Sequence, residues 1–268
     1  MEESKCVKIA CNWSASLADL ILNKRINIDY IKAGAYGDFE KQFTAIRSLK
    51  PVLLHGLGYY ERTGMENINM IDFQRANKLI RDCASPHLGV HLAIKYSDMR
   101  SSMNSEYIYT RMSEHIQFLK KNLSVPLLLE NIPDSLQERT VFGHYPYAEP
   151  EKISSLLNDN DVDLLLDISH AKVTALYRHW NIYEYLETLP LNRVREIHVN
   201  GSGYDGYGLP DDTHQAMSDE DYALLYWVLE RSNPDIVTLE YIGLDSESRE
   251  LVLENLYNQL KQLEVICR

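Results

Sequence analysis

The sequence has little cysteine and lacks a long apolar run. Only 4 of its 268 residues are cysteine, and no two form a Cys-x-x-Cys pair, so we expect neither a disulfide framework nor a thiolate metal site. No stretch approaches the roughly 18 apolar residues of a membrane-spanning helix. The acidic start, residues 1–5, is unlike the basic start of a signal peptide. These absences predict a cytoplasmic protein without membrane association.

An excess of positive charge is also lacking. The chain has 39 acidic and 27 basic residues and a net charge of -12, which disfavours nucleic acid as a partner because phosphate binding draws on clustered Lys and Arg. Apolar residues make up 45% and charged residues 25%, as is typical of folded globular proteins. This length can bury a large core, and we expect residues 1–268 to form one domain.

Eight short apolar runs rich in Val, Ile and Leu predict β-strands. The runs span residues 7–12, 28–33, 51–55, 88–94, 125–130, 162–167, 194–199 and 236–240. They begin about 20 to 40 residues apart, the length of a strand, a helix and two loops. Helical spacing lies between them, as in residues 103–121, 148–158 and 218–231, where Ser218 and Asp221 predict a capping box.

The strand pattern favours one fold class. Each run is apolar throughout, as expected of parallel strands that are covered on both faces. Eight such units predict an α/β protein with a (β/α)8 TIM barrel. The long loops 59–69 and 200–213 are predicted to form part of its active face. Their tyrosines, Tyr59, Tyr60, Tyr204 and Tyr207, are expected to pack the loops, with a lid as the alternative.

Side chains that can bind metal ions recur where the predicted strands end. Six of the eight strands contain or end in one, and two loops add more. The candidate ligands are His55, His91, Glu130, Asp167, His170, His198, Asp212, His214 and Glu240. Because the carboxyl ends of barrel strands meet on one ring, we expect these groups to face a common pocket. A bound cation would offset the cost of burying the carboxylates.

The number of candidate ligands exceeds what one ion needs. One divalent ion takes about three or four protein ligands, so nine predict two or three divalent ions, with Glu130 as a bridging ligand and open positions for water, substrate or dioxygen. Nitrogen and oxygen ligands suit iron, manganese and zinc alike. The other histidines, His87, His115, His144 and His179, do not end strands and are predicted to lie at the surface or in loops.

The order of these motifs resembles a known family. The motifs are Asn12-Trp13-Ser14, Leu54-His55, His91-Leu92-Ala93, Glu130-Asn131, Leu166-Asp167-Ile168-Ser169-His170, Ile197-His198 and Leu239-Glu240. Over nearly the whole chain they resemble the DUF692 family of multinuclear non-heme iron-dependent oxidases, which are related to the methanobactin-biosynthesis oxidase. The resemblance implies two or three irons, dioxygen as oxidant, and a ribosomally made precursor peptide whose residues, often cysteine, are modified. It also implies a partner protein that presents the peptide.

The order of the candidate ligands along the chain also resembles that in the wider xylose isomerase-like superfamily, which includes trinuclear zinc apurinic endonucleases. That resemblance divides the ligands among three metals. The first would take His55, His91 and Glu130, the second Glu130, Asp167, His198 and Glu240, and the third His170, Asp212 and His214. The Glu130-Asn131 pair and the residues 166–171 favour the iron oxidases.

Three alternatives remain open on the sequence. A metal-dependent phosphodiester hydrolase needs a basic groove, for which the predicted active face offers Lys95, Arg100, Arg139, Lys172 and Arg178. A sugar isomerase or epimerase would use only Glu130, Asp167, His198 and Glu240 around one metal, and the other five candidates would have no role. A barrel that only stores or senses metal is disfavoured, because the open end of a TIM barrel usually carries catalysis.

Overall fold

A closed barrel of eight parallel strands lies at the centre of the molecule. The computed structural model describes residues 6–34, 39–56, 65–99 and 104–268. The barrel strands are β1 (Lys8–Asn12), β2 (Tyr30–Gly34), β3 (Val52–His55), β4 (Leu88–His91), β5 (Leu127–Glu130), β6 (Asp163–Asp167), β7 (Val194–Val199) and β8 (Ile236–Leu239). They follow one another around the barrel, and β8 pairs with β1. The predicted (β/α)8 barrel is therefore confirmed, with strand ends within three residues of the prediction.

Helices surround the strands. They are α1 (Ala15–Leu22), α2 (Phe39–Leu49), α3 (Phe73–Cys83), α4 (Ser105–Asn122), α5 (Leu136–Thr140), α6 (Pro150–Asn160), α7 (Ile168–Arg178), α8 (Ile182–Thr188), α9 (Asp219–Leu229) and α10 (Arg249–Cys267). Short 3-10 helices span Met65–Met70, Tyr96–Asp98 and Leu191–Arg193. None of the helices that the structure describes is long and apolar enough to cross a bilayer.

The continuous apolar runs form strands because both of their faces are covered. Leu164, Leu165 and Leu166 are consecutive in β6, and each is fully buried. In a half-exposed strand, successive side chains would alternate between the core and water. The uninterrupted burial instead places one face against the barrel interior and the other against helices, as in parallel sheets generally.

Helix caps fix where the helices begin. Ser218 caps α9 by accepting a hydrogen bond from the backbone N–H of Asp221, whose side chain accepts one from the backbone of Ser218. This is the predicted capping box. Asp167 ends β6 and caps α7, which begins at the next residue, by accepting from the backbone N–H of His170 at 2.7 Å. The cap places the first turn of α7 directly above the barrel.

Two segments differ from the sequence prediction. Most of the predicted loop 200–213 lies in an antiparallel ribbon of Gly201–Tyr204 and Pro210–Gln215, closed by the hydrogen bond from Asp205 N to Leu209 O. The predicted strand 88–94 ends at His91, and Ile94–Lys95 pairs instead with His144–Tyr145. Both ribbons satisfy backbone groups outside the barrel, a need that apolar patterning does not reveal. Residues 59–64 of the other predicted loop, 59–69, include Tyr59 and Tyr60 and lie outside the described residues.

Candidate metal centre

Parallel strand register brings the candidate ligands to one end of the barrel. Glu130 on β5 lies beside His91 on β4, and Asp167 on β6 lies beside His198 on β7. His55 ends β3 opposite Gly89, where a Cβ atom would approach the His55 Nδ1 to 2.9 Å. A glycine at this position therefore makes room for the imidazole ring.

The carboxylate of Glu130 lies between four imidazoles. Its Oε2 is 3.0 Å from His55 Nε2 and 3.5 Å from His91 Nε2. Its Oε1 is 3.3 Å from His198 Nδ1 and 3.4 Å from His170 Nδ1. Only 1% of Glu130 is exposed, so water does not stabilise its charge. The two oxygens thus face two different groups of possible ligands.

Two sets of three residues have donor atoms within 4.8 Å of one another. One set is His55, His91 and Glu130, and the other is Glu130, Asp167 and His198. Glu240 borders the second set, because its Oε1 is 3.4 Å from His198 Nδ1. Ligands about 2.1 Å from a tetrahedral ion lie about 3.4 Å apart. The spacing of the second set with Glu240 is therefore suitable for one ion, and Glu130 is common to both sets.

The remaining three candidates lie beside the second set. Asp212 Oδ2 is 3.2 Å from His170 Nε2 and 2.9 Å from His214 Nε2. His214 Nε2 also lies 3.7 Å from Glu240 Oε2. The backbone of His214 has a φ of 48°, a left-handed conformation that costs a non-glycine residue about 1 kcal/mol or more. All nine sequence-predicted ligands are thus brought together.

Hydrogen bonds select which nitrogen of two imidazoles faces the centre. His170 Nδ1 donates to the carbonyl oxygen of Asn131 at 2.7 Å, which leaves Nε2 directed at Asp212. His198 Nε2 lies 3.1 Å from Glu196 Oε1, which leaves Nδ1 directed at Glu130. Such partners commonly fix the tautomer of a metal-binding histidine.

Burial and charge set the protonation of the centre. Burial and the positive charge of Lys32 lower the pKa of His55 to about 4, so its ring keeps a lone pair for a metal ion at neutral pH. Although burial alone would raise it, the neighbouring imidazoles hold the pKa of Glu130 well below its usual value. Burial raises the pKa of Asp167. A buried carboxylate without a nearby cation prefers to be neutral.

Buried atoms without partners indicate that cations fit this centre. Among the described residues, Glu130 Oε2 and Asp167 Oδ2 are buried yet accept no hydrogen bond of acceptable geometry. An unsatisfied carboxylate oxygen costs several kcal/mol in a dry interior. The donor set contains only imidazole nitrogen and carboxylate oxygen, which suits a divalent metal such as iron, manganese or zinc.

Sequence reasoning missed two charged residues of the centre. Lys32, in the middle of β2, is 7% exposed and its ammonium group forms an ion pair with Glu240 Oε1. Burial lowers the pKa of Lys32, and the carboxylates around it oppose that shift. Glu196 is 1% exposed and accepts hydrogen bonds from His198 and from Thr238. The signal for Glu196 was its position two residues before His198, which places both on the same face of β7.

Of the four histidines that were predicted to lie at the surface or in loops, His115 and His144 are buried in a helix and a strand, and His87 lies in a loop but is buried. His87 Nε2 is 2.6 Å from Glu196 Oε2, and His144 Nδ1 is 2.8 Å from Glu138 Oε2. His115 is buried beside Arg111. A carboxylate or another polar side chain beside each ring makes this burial tolerable. His179 is exposed, as predicted.

The four described candidates for a basic groove are bound to other side chains. Arg139 and Arg178 both donate to the fully buried carboxylate of Asp134. Lys172 pairs with Asp221 at 2.8 Å, and Lys95 donates to Asn67 at 3.0 Å. These four therefore do not form the free basic groove that a phosphodiester substrate requires. Arg100 lies outside the described residues.

Comparison with known proteins places the chain in a family. The family model of RiPP precursor modification enzymes MbnB/TglH/ChrH matches residues 13–264; RiPPs are ribosomally synthesised and post-translationally modified peptides. A UPF0276 protein of Acaryochloris marina is 27% identical over 203 residues, which cover 73% of this chain and 71% of that protein. One from Caulobacter vibrioides is 30% identical over 205 residues, with 73% and 70% covered.

Solved structures show the same fold. A Rhodospirillum rubrum protein with a provisional assignment as a xylose isomerase aligns with a TM-score of 0.65 at 15% identity, over 97% of this chain and 99% of that one. The barrel is therefore xylose isomerase-like, as the sequence predicts. The family match covers nearly the whole chain, and this protein belongs to the MbnB/TglH/ChrH family of RiPP precursor modification enzymes.

Proposed function

We propose that this protein is a multinuclear, iron-dependent oxidase that uses dioxygen to modify cysteine or another residue of a ribosomally made peptide. The observation that carries the proposal is the buried carboxylate of Glu130, which two sets of ligands share. The family consists of enzymes that modify RiPP precursors, which supports a peptide substrate. Ligand sets that share a carboxylate are typical of multinuclear catalytic centres.

The nine candidate residues divide into three sites. His55, His91 and Glu130 would hold one ion. Glu130, Asp167, His198 and Glu240 would hold a second, and His170, Asp212 and His214 offer a third. Bound ferrous iron would supply the redox chemistry with dioxygen and would orient a substrate thiolate beside it.

The chain itself orients these ligands and determines where substrate enters. The side chains of Asp167 and His198 are 0% exposed, whereas those of His91 and His214 are 24% and 39% exposed. A peptide would therefore approach from the side of His91 and His214. The dry side, at Asp167 and His198, excludes water that would compete with the substrate.

We further propose that a partner protein presents the peptide and that the reaction takes place in the cytoplasm. Tyr204 and Tyr207 on the ribbon are 64% and 90% exposed, and exposed aromatic side chains are common contacts for peptides and proteins. The same ribbon carries Asp212 and His214. A partner bound there would place its peptide near the open side of the centre.

The direct test is oxygen uptake by anaerobically purified protein. We predict at least two iron equivalents per chain by elemental analysis, and oxygen consumption upon addition of a cysteine-containing peptide with its presenting partner. The mass of the peptide should change in step with the oxygen consumed. Zinc alone in the purified protein, together with nicking of abasic DNA, would contradict the oxidase and support a hydrolase.

The shared position of Glu130 predicts unequal effects of two substitutions. Glu130→Gln should lower metal occupancy at both of the sites that it joins, because an amide is a weaker ligand and carries no charge. His91→Ala should lower occupancy at one site only. Metal equivalents per chain after reconstitution, with melting temperature as the control for folding, measure this difference. Equal losses in the two variants would show that Glu130 does not bridge.

The hydrogen bond between His198 and Glu196 predicts a positioning role for Glu196. Glu196→Gln should weaken metal binding by about 10- to 100-fold, because the ring of His198 would lose a charged acceptor that fixes its tautomer. Metal affinity by competition with a chelator is the measurement. Glu138→Gln is the matched control, since Glu138 also pairs with a buried histidine, His144, which is not one of the candidate ligands. Equal affinities in the two variants would argue against this role.

A further inference from the structure

Lys32 introduces a positive charge into a group of carboxylates. Its side chain is 8% exposed, and its ammonium group contacts Glu240 Oε1. Lys32 lies on β2 and Glu240 directly follows β8, and both strands pair with β1, so the ion pair links residues that are neighbours in the barrel but distant in the sequence. Burying a lysine is costly unless a carboxylate pairs with it. The buried ion pair is therefore an integral part of the centre.

The ion pair occupies an oxygen that borders the second ligand set. Glu240 Oε1 is 3.4 Å from His198 Nδ1, while Glu240 Oε2 is 3.7 Å from His214 Nε2. Glu240 thus lies between the second set and the residues His170, Asp212 and His214. A cation bound to Glu240 repels any further cation in this region, and that repulsion is strong in a dry interior.

Charge balance limits how many ions the centre can hold. The centre contains five carboxylates, those of the four proposed ligands and that of Glu196, and Lys32 leaves them with four net negative charges. Two divalent ions bring the centre to neutrality. A third divalent ion would leave two uncompensated positive charges, which a buried site tolerates poorly.

We propose that Lys32 takes the place of one cation, so that this centre binds two divalent ions rather than three. The two ions occupy the sets that share Glu130, the second held by Glu130, Asp167 and His198 while Glu240 stays paired with Lys32. His170, Asp212 and His214 keep their contacts with one another. The inference rests on the metal centre of the proposed function but not on its oxidase chemistry.

The test counts metal ions in protein reconstituted anaerobically with excess ferrous iron and then desalted. Elemental analysis should give two equivalents per chain for the wild type and three for Lys32→Met, which keeps the length of the side chain but removes its charge. Lys32→Arg should stay at two. Lys172→Met is the matched control, because Lys172 also pairs with a buried carboxylate, that of Asp221, and it should also stay at two.

The outcomes separate this inference from the proposed function. Three equivalents in the wild type, or two in a Lys32→Met variant that melts at the wild-type temperature, would overturn the role of Lys32. If Lys32→Met fails to fold, the wild-type count still decides, since three equivalents contradict the inference and two support it. Two equivalents without oxygen uptake would overturn the oxidase while leaving the role of Lys32 in place.

Discussion

The centre depends on a buried carboxylate that the protein alone does not satisfy. Glu130 is surrounded by imidazoles, yet its Oε2 accepts no well-formed hydrogen bond from the residues that the structure describes. Imidazole nitrogens at 3.0 to 3.5 Å are close enough to share an ion with the carboxylate. Removing this charge from water is expensive, and a bound divalent cation would compensate for it.

The barrel makes this arrangement rigid. Adjacent parallel strands fix the positions of Glu130, His91, Asp167 and His198 relative to one another. A further layer of hydrogen bonds holds the ligands: Asn131 donates to the carbonyl of Asp167 at 2.9 Å, and Asn200 donates to Asp212 at 3.0 Å. Side chains that are held this firmly would need little rearrangement to bind a metal ion.

The sequence could predict which polar side chains meet at the strand ends because two independent patterns agree there. Apolar runs that end in His or Glu predict both the strand and the direction of its last side chain, and the barrel then brings those ends together. Lys32 and Glu196 could not be found in this way, since they lie inside strands. Their roles depend on partners that are distant in the sequence, Glu240 for Lys32 and His87 for Glu196. The strained backbone of His214 likewise follows from the ribbon, which was predicted as a loop.

Anomalous X-ray diffraction at the iron absorption edge, from crystals grown under anaerobic conditions, tests the central claim most directly. The account predicts two peaks about 3.5 to 4 Å apart, one beside each carboxylate oxygen of Glu130. A single peak, or a centre in which Glu130 contacts no metal ion, would contradict it.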